Sequence, residues 1–242
     1  MQADSPTPTP IPCGPQLAPA ARTAERVGVF GGSFDPIHRG HLAVIRAVLE
    51  RGAVEHLVVV PARVSPHKLD APPTLAAERL ALLQAALEEL EPSLRAGLSI
   101  WTVELEREGP SFTLDTIQAL VGARDGAAPA PRLVVGQDSV PGLPRWRAVE
   151  RLLAATRLVV VERGGSEPLD HALEGLGGPA AEAVRAAVES GWLPLEQPSS
   201  ASSTAVRDSL AGGAEQVDEL PPQVLDSIRR RGLYASDGEP DA

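Results

Sequence analysis

The sequence has little of what several classes of protein require. It contains one cysteine, Cys13, so no disulfide can form within the chain. No apolar run approaches the roughly 18 residues of a membrane-spanning helix. The first residues also lack the basic and then apolar layout of a signal peptide. We therefore expect a cytoplasmic protein that does not enter a membrane.

Aromatic residues and positive charge are also scarce. Aromatic side chains make up 3% of the residues, too few to build a stacking platform for single-stranded nucleic acid. The formal net charge of −10 disfavours a general binder of nucleic acid or of anionic membranes, since both need a basic face. An anionic small molecule is still possible as a ligand, because a local cluster of His, Lys and Arg sets the field inside a cleft.

Both ends of the chain are predicted to be disordered tails. Residues 1–25 hold six prolines in their first twenty positions and show almost no apolar pattern. Residues 236–242 form a short polar end. Between them, residues 26–235 are expected to fold as one domain, since no internal repeat is visible.

Within this domain, short β-branched runs alternate with longer helical patterns. Strands are predicted at 26–30, 56–60, 98–105, 132–136, 157–162 and 192–195. Helices are predicted at 40–51, 75–90, 113–122, 147–155, 179–190, 204–211 and 221–231. Such alternation with continuously apolar strands is typical of a parallel sheet covered on both faces. We expect an α/β fold, a single Rossmann-like doubly wound sheet with a small helical segment at the C-terminus.

The stretch FGGSFDPIHRGHL, residues 30–42, begins at the last residue of the first predicted strand. Its glycines let backbone amides approach an anion closely, and a helix beginning near Gly40 points its N–H groups at the same anion. His38 and His41 lie three residues apart across that helix start, so both rings can face one ligand. The pattern His-x-Gly-His is expected by chance only about 0.01 times in a chain of this composition. The stretch therefore predicts a site for nucleotide phosphates.

Two competing sites find less support in the residues. A zinc site could use the two histidines, but the chain offers no cysteine cluster or His-Glu helix motif to complete the ligand set. The first predicted strand-to-helix turn is not G-x-G-x-x-G, so a dinucleotide redox cofactor bound by that fingerprint is disfavoured.

Other polar clusters follow predicted strands or open predicted helices. His67 and Lys68 come after the second strand, and Gly136 and Asp138 come after the fourth. The sequence SSTAVR, residues 202–207, places hydroxyl groups at a helix start and an arginine one turn into the helix. Hydroxyls and amides at a helix N-terminus with a nearby arginine form an anion site. Ligands of such sheets bind outside the carboxyl ends of the strands, where these clusters are predicted to meet.

These residues resemble the nucleotidylyltransferases and, within them, the bacterial nicotinate-nucleotide adenylyltransferases. The two signatures of that family stand at residues 32–41, GSFDPIHRGH, and at residues 202–207, SSTAVR. Further similar marks, in chain order, are PHK at 66–68, Arg79, SFTLDT at 111–116, GQDS at 136–139, Trp146 and GLY at 232–234. The resemblance spans about residues 27–234. The ordered set of motifs is more specific to this family than the first signature alone.

Three positions depart from the pattern of the family. Ser33 stands where threonine is usual and keeps the hydroxyl, and Phe112 replaces a common tyrosine. Gln137 replaces a small residue near the expected adenosine site. None of these departures removes a charged member of the cluster.

The resemblance implies adenylyl transfer from ATP to nicotinate mononucleotide, giving nicotinate adenine dinucleotide and pyrophosphate. The phosphate of the mononucleotide would attack the α-phosphorus of ATP directly. The resemblance implies Mg²⁺ entering with ATP, no tightly bound organic cofactor and no dedicated metal ligand in the chain. It leaves open whether the protein forms a homo-oligomer.

The resemblance also implies roles for individual residues. The expected catalytic residues, which contact phosphate oxygens, are His38, His41, Lys68 and Arg207. ATP binding would further involve Gly32, Ser33, Phe34, Gly136, Asp138, Ser203 and Thr204. Binding of the nicotinate nucleotide would involve Lys68, Thr113 through its backbone, and Trp146 through stacking on the pyridine ring.

Three rival functions share part of this pattern. An adenylyltransferase that uses nicotinamide mononucleotide or phosphopantetheine would carry both signatures. A non-catalytic nucleotide sensor would be expected to lose a histidine or the arginine, and this chain keeps them. A class I aminoacyl-tRNA synthetase fragment has a related His-x-Gly-His loop, but the chain is short and acidic and shows no Lys-Met-Ser-Lys-Ser-like loop.

Overall fold

The computed structural model describes residues 10–64, 74–195 and 199–235. In these residues the strands are β1 Cys13–Gly14, β2 Val27–Gly32, β3 His56–Pro61, β4 Leu98–Trp101, β5 Arg132–Gly136, β6 Arg157–Val161 and β7 Trp192–Leu193. They form a sheet in the order β1-β4-β3-β2-β5-β6-β7, and every adjacent pair is parallel. This confirms the predicted parallel α/β sheet.

Helices cover both faces of this sheet. They are α1 Pro19–Thr23, α2 Arg39–Glu50, α3 Ala76–Leu87, α4 Pro92–Ala96, α5 Thr113–Ala123, α6 Val149–Ala155, α7 Leu169–Glu174, α8 Ala181–Gly191, α9 Ser203–Ala211 and α10 Pro222–Arg231. Short 3₁₀ segments span Thr102–Glu104 and Gln137–Arg145. Among the described residues, no helix is long and apolar enough to cross a membrane.

The strands are apolar on both sides because the core has two layers. Successive residues of one strand enter opposite layers: Val29 packs with α1 and α5 to α8, whereas Phe30 packs with α2, α3, α9 and α10. The C-terminal helices α9 and α10 therefore belong to the same layer as α2, as Val206 and Ile228 show. This layer brings the SSTAVR segment towards the histidine stretch.

The order of the strands fixes where a ligand can enter. From β2 the chain moves outward through β3 and β4, and it then returns to place β5 on the other side of β2. The strand order thus reverses between β2 and β5, with Val29 paired to Val58 on one side and to Leu133 on the other. A crevice opens at such a switch point beyond the carboxyl ends of the strands.

The prediction of a disordered tail over residues 1–25 is wrong for residues 10–25. Here β1 pairs with β4, and the backbone N–H of Ile100 donates to the carbonyl of Pro12 at 2.8 Å. The indole N–H of Trp101 donates to the carbonyl of Pro15 at 2.8 Å. Proline keeps its carbonyl acceptor, so a proline-rich segment can line the edge of a sheet without a helical or strand-like pattern of its own. Residues 1–9 and 236–242 lie outside the described residues.

The strand predicted over 98–105 is also too long. It ends at Trp101, and the chain then turns through the 3₁₀ segment, with the N–H of Leu105 donating to the carbonyl of Thr102 at 2.8 Å. This turn directs Glu104 into the protein, where it is 6% exposed. The other predicted strands and helices are present with ends shifted by a few residues, whereas α1, α4 and α7 were not predicted.

Candidate active site

A cavity of about 430 Å³ opens at the carboxyl ends of β2 and β5. Its walls include the β2–α2 loop, the start of α5, the segment after β5 and Arg163, which follows β6. Eight of the predicted site residues line it: Gly32, Ser33, His38, His41, Thr113, Gly136, Asp138 and Trp146. The switch point therefore gathers residues that are more than 100 positions apart in sequence.

The two histidines stack at the first turn of α2. His38 is the N-cap residue and His41 is the third residue of the helix, and their ring centroids are 3.8 Å apart. The backbone N–H of His38 donates to Nδ1 of His41 at 3.2 Å. With Nδ1 acting as an acceptor, the proton of the neutral His41 ring is on Nε2. The hydrogen bond from the His38 backbone thus sets the tautomer of a neutral His41 ring.

His38 is held neutral by its surroundings. The side chain is 1% exposed, and burial lowers its pKa to about 3, with the positive charge of Arg163 as a second cause. Its Nδ1 atom has no hydrogen-bond partner among the described residues. At neutral pH the ring is an uncharged polar group next to His41.

Gly40 allows the two histidines and α9 to approach one another. A Cβ atom at Gly40 would lie 3.0 Å from the Cε1 and Nδ1 atoms of His38 and 3.4 Å from the carbonyl oxygen of Ala201. Any other residue would push the His38 ring or the chain before α9 away. The glycine between the histidines is thus a packing requirement.

Phe34 lies beneath the histidines. Its side chain is 1% exposed and its backbone is left-handed, with φ +47°. Its ring packs edge-on against the His41 ring with centroids 5.0 Å apart. The predicted role of Phe34 in ATP binding remains a prediction, since in this structure the residue supports His41.

The start of α9 contacts the loop between β2 and α2, residues 33–38, which we call the histidine loop. The hydroxyl of Ser203 donates to the carbonyl of Pro36 at 3.0 Å, and the guanidinium of Arg207 donates to the carbonyl of Asp35 at 2.7 Å. Ser202 caps the helix by accepting from the N–H of Ala205 at 3.2 Å. As far as the described residues define the cavity, Ser203, Thr204 and Arg207 stand behind its wall. His67 and Lys68 lie outside the described residues.

The Arg163–Asp138 ion pair lines the cavity where the chain leaves β5. Arg163 donates to Asp138 at 2.6 Å and also binds the carbonyl of Ala201. The side chain of Gln137 accepts from the N–H of Arg163 at 3.2 Å and donates to the carbonyl of Glu167 at 2.6 Å. The larger side chain at position 137 thus ties the end of β5 to the chain that follows β6.

The opposite side of the cavity is formed by the start of α5. Phe112, the N-cap residue, makes no side-chain capping bond within the described chain, and Phe112, Thr113 and Leu114 line the cavity. Arg147 lies over the Phe112 ring, 4.6 Å from its centroid. The positive end of α5 therefore faces the cavity.

Glu104 closes the floor beside α5. The hydroxyl of Thr116 donates to its Oε1 atom at 2.5 Å, and burial raises the pKa of the Glu104 carboxyl. Trp146, which is half-buried, lines the same end and packs against the apolar layer that contains α5. This end thus offers helix N–H groups and one large aromatic side chain.

Known proteins are similar to this chain in sequence and in fold. Residues 29–209 match the cytidylyltransferase-like family. A protein of Gemmatimonas aurantiaca named "Probable nicotinate-nucleotide adenylyltransferase" is 37% identical over 212 residues, which cover 86% of this chain and 92% of that protein. A protein of the same name from Gloeobacter violaceus is 34% identical, with 87% and 96% covered.

The chain belongs to the nicotinate-nucleotide adenylyltransferase family. It is thus a nucleotidyltransferase, as the resemblance in its sequence predicted. A solved structure, that of Plasmodium falciparum nicotinic acid mononucleotide adenylyltransferase complexed with NaAD, has the same fold, with a TM-score of 0.68 at 17% identity. The match covers 86% of this chain and 97% of the Plasmodium chain.

Arg163 and Glu104 are among the cavity residues that the sequence analysis did not predict. Arg163 follows β6 at the same edge of the sheet as the predicted clusters, so its position after a strand was a usable signal. Glu104 gave no such signal, because it fell inside the strand predicted over 98–105 and only the 3₁₀ turn brings it to the cavity.

Proposed function

We propose that this chain transfers the adenylyl group of ATP to nicotinate mononucleotide, giving nicotinate adenine dinucleotide and pyrophosphate. The observation that carries the proposal is the cavity, which joins the stacked histidines at one end to the uncapped start of α5 and Trp146 at the other. The names of the relatives support the same reaction. The proposal includes a cytoplasmic location, because the reaction uses ATP.

The α5 end of the cavity suits the nicotinate ring. Its carboxylate accepts from the backbone N–H groups around Thr113, where the positive end of the helix dipole also favours a negative charge. The pyridine ring stacks on Trp146. An uncharged carboxamide gains less from the dipole, which is worth up to about 2 kcal/mol in a partly buried site, or roughly 30-fold in affinity.

The histidine end suits the phosphates of ATP. The Nε2–H group of His41 donates to a phosphate oxygen, and the neutral His38 ring shapes the wall without adding charge. Backbone amides of Gly32 and Ser33 provide further donors. The phosphate contacts expected of Lys68, Ser203, Thr204 and Arg207 stay predictions. Lys68 lies outside the described residues, and the other three do not line the cavity as the described residues define it. The Ser203 hydroxyl and the Arg207 guanidinium donate to carbonyls of the loop before α2.

The adenosine moiety lies against the segment that follows β5. Gly136 leaves room for the Asp138 carboxylate, because a Cβ atom at this position would lie 2.5 Å from Oδ1 of Asp138. The carboxylate of Asp138, oriented by Arg163, accepts from a hydroxyl or amino group of the nucleoside.

The chemistry requires positioning more than proton transfer. A phosphate monoester has its second pKa near ~6, so the mononucleotide is largely dianionic at neutral pH and attacks without a general base. One of its oxygens forms a bond to the α-phosphorus of ATP. In line with this bond, the bond between the α-phosphorus and the oxygen that bridges the α- and β-phosphates breaks, and pyrophosphate leaves with the electron pair. The N–H donors of the site stabilise the charge that develops on the leaving group.

Magnesium comes into this reaction with ATP. Among the described residues no three or more His, Cys, Asp or Glu side chains are grouped to hold a metal ion. The two carboxylates that reach the cavity are engaged by neighbours, Asp138 by Arg163 and Glu104 by Thr116. The described residues therefore do not form a metal cage, and the ion would be held by phosphates and water.

The test is pyrophosphate release with Mg-ATP and three acceptors in parallel: nicotinate mononucleotide, nicotinamide mononucleotide and phosphopantetheine. We expect the nicotinate compound to be preferred over the nicotinamide compound by at least about tenfold in kcat/KM. Release with another acceptor alone would overturn the proposed substrate. Folded protein that binds ATP but releases no pyrophosphate with any acceptor would instead favour a nucleotide sensor.

A further inference from the structure

A buried polar network lies beneath the histidine loop. Its members are Asp35, Arg79 and Tyr234, and none of them lines the cavity as the described residues define it. Arg79 is 1% exposed and donates to three backbone carbonyls: Ser33 at 2.5 Å, Thr74 at 2.8 Å and Arg63 at 3.1 Å. A single guanidinium thus fixes three separate stretches of backbone, one of which belongs to the histidine loop.

Asp35 is the counterpart of Arg79 in this network. It is 7% exposed, and its carboxylate accepts from the hydroxyl of Tyr234 at 2.8 Å and from the backbone N–H of Thr74 at 3.3 Å. Its backbone carbonyl accepts from Arg207 at 2.7 Å. The histidine loop is therefore tied to α9 and to the segment after α10 through one residue.

Tyr234 reaches this position from the far end of the chain. α10 ends at Arg231, and Gly232 is its C-cap residue. Tyr234 has a left-handed backbone with φ +61°, an uncommon conformation for a residue with a side chain. Burial raises the pKa of the Tyr234 phenol, so the hydroxyl keeps its proton and serves as a donor at neutral pH. The contact with Asp35 joins residues 199 positions apart.

Phe34 lies between the two residues that Arg79 and Tyr234 hold, and it contacts His41. Arg79 holds the carbonyl of Ser33 and Tyr234 holds the side chain of Asp35, while Phe34 between them packs its ring against His41. If either the Arg79–Ser33 or the Tyr234–Asp35 hydrogen bond is lost, the backbone of Phe34 can leave its left-handed conformation. His41 then loses the contact with the Phe34 ring.

We propose that Tyr234 and Arg79 are positioning residues for the adenylyl transfer, which rests on the function proposed above. They hold residues 33–38 in the one arrangement that aims His41 at the phosphates. Neither side chain contacts substrate, so they act on alignment in the transition state more than on ground-state binding.

The kinetic test is Tyr234→Phe, which removes only the hydroxyl. The matched control is Arg231→Gln, because the exposed Arg231–Glu78 pair joins α10 to α3 without contacting the histidine loop. We expect Tyr234→Phe to lower kcat about tenfold with KM for ATP changed less than threefold. Arg231→Gln should stay within twofold of wild type. A kcat for Tyr234→Phe within twofold of wild type, or equal losses in both variants, would overturn the proposal.

Arg79→Lys tests the other clamp. Lysine keeps the positive charge but cannot reach three carbonyls with one planar fork, so kcat should again fall more than KM changes. Unchanged kinetics in a folded Arg79→Lys protein would remove Arg79 from the proposal. Because this substitution is in the core and can impair folding, Tyr234→Phe carries the decisive comparison.

A spectroscopic test does not depend on the acceptor. Tyr234 is the single tyrosine of the chain, so 3-fluorotyrosine gives one ¹⁹F resonance that reports on this position alone. We expect saturating Mg-ATP, without acceptor, to shift that resonance in wild type. A protein that is inactive with nicotinate mononucleotide but still shows the shift would refute the proposed acceptor. It would still support the link between Tyr234 and the ATP site. An unshifted resonance in a protein that binds Mg-ATP would overturn the positioning proposal.

Discussion

Replacing His38 by asparagine should flatten the dependence of stability on pH between pH 7 and pH 5. The folded protein keeps His38 neutral, with a pKa of about 3, whereas the unfolded chain has the ordinary histidine value of 6.5. The unfolded state therefore takes up a proton as the pH falls below 6.5, and the folded state does not until about pH 3. Stability linked to His38 is complete above pH 6.5 and is lost as the pH falls towards 3.

The size of the effect follows from the interval between 6.5 and 5. At about 1.36 kcal/mol per pH unit, the 1.5 units give His38 a loss of about 2 kcal/mol in the free energy of unfolding at pH 5 relative to pH 7. Asparagine does not titrate, and it is a favourable N-cap residue, so α2 should still form. Carboxylates and the buried His56 are the same in both proteins, so their contributions cancel in the difference.

The assay is urea unfolding followed by circular dichroism at pH 7, 6 and 5, with free energies from linear extrapolation. Wild type should lose about 2 kcal/mol more than His38→Asn between pH 7 and pH 5. Equal losses in the two proteins, with equal slopes against urea, would show that His38 is not the buried neutral group described here.

Three further substitutions test the site itself. His41→Ala should lower pyrophosphate release at least about 100-fold by removing a phosphate donor; turnover within threefold of wild type would rule out that contact. Gly40→Ala, whose methyl group would meet the His38 ring, should lower kcat more than tenfold and lower Tm by a few degrees, measured by calorimetry alongside kinetics. Trp146→Ala should raise KM for nicotinate mononucleotide about tenfold without changing KM for ATP, and Trp146→Phe should restore most of the affinity. An equal change in both KM values would contradict stacking.

Local patterns account for the features that the sequence predicted correctly. The apolar runs that became β2, β3, β5 and β6 are continuous because both faces of each strand are covered, and this pattern needs no knowledge of distant residues. The histidine stretch was placed correctly after β2 for the same reason, since its glycines, histidines and helix start are adjacent in the chain.

Features formed by contacts between distant segments were missed. The proline-rich start of the chain is ordered because its carbonyls accept hydrogen bonds from β4, about 85 residues later. The strand predicted through Glu104 ended early because the buried contact of Glu104 with Thr116 requires a turn. Arg163 follows a strand that the sequence did predict, but its place beside Asp138 depends on β6 pairing with β5.

The amino-acid sequence by itself determined the α/β class, the strands of the central sheet and the histidine pair at the start of α2, because periodicity, glycine placement and helix capping act over a few residues. Tertiary structure alone decided which residues stand in the cavity and which support it. Phe34 and Arg207 belong to the signature motifs, yet they pack behind the wall, and Arg79 and Tyr234 meet at Asp35 from opposite parts of the chain. The physical reason is that burial, desolvation and hydrogen bonds between distant segments depend on how the layers pack, which no local pattern records.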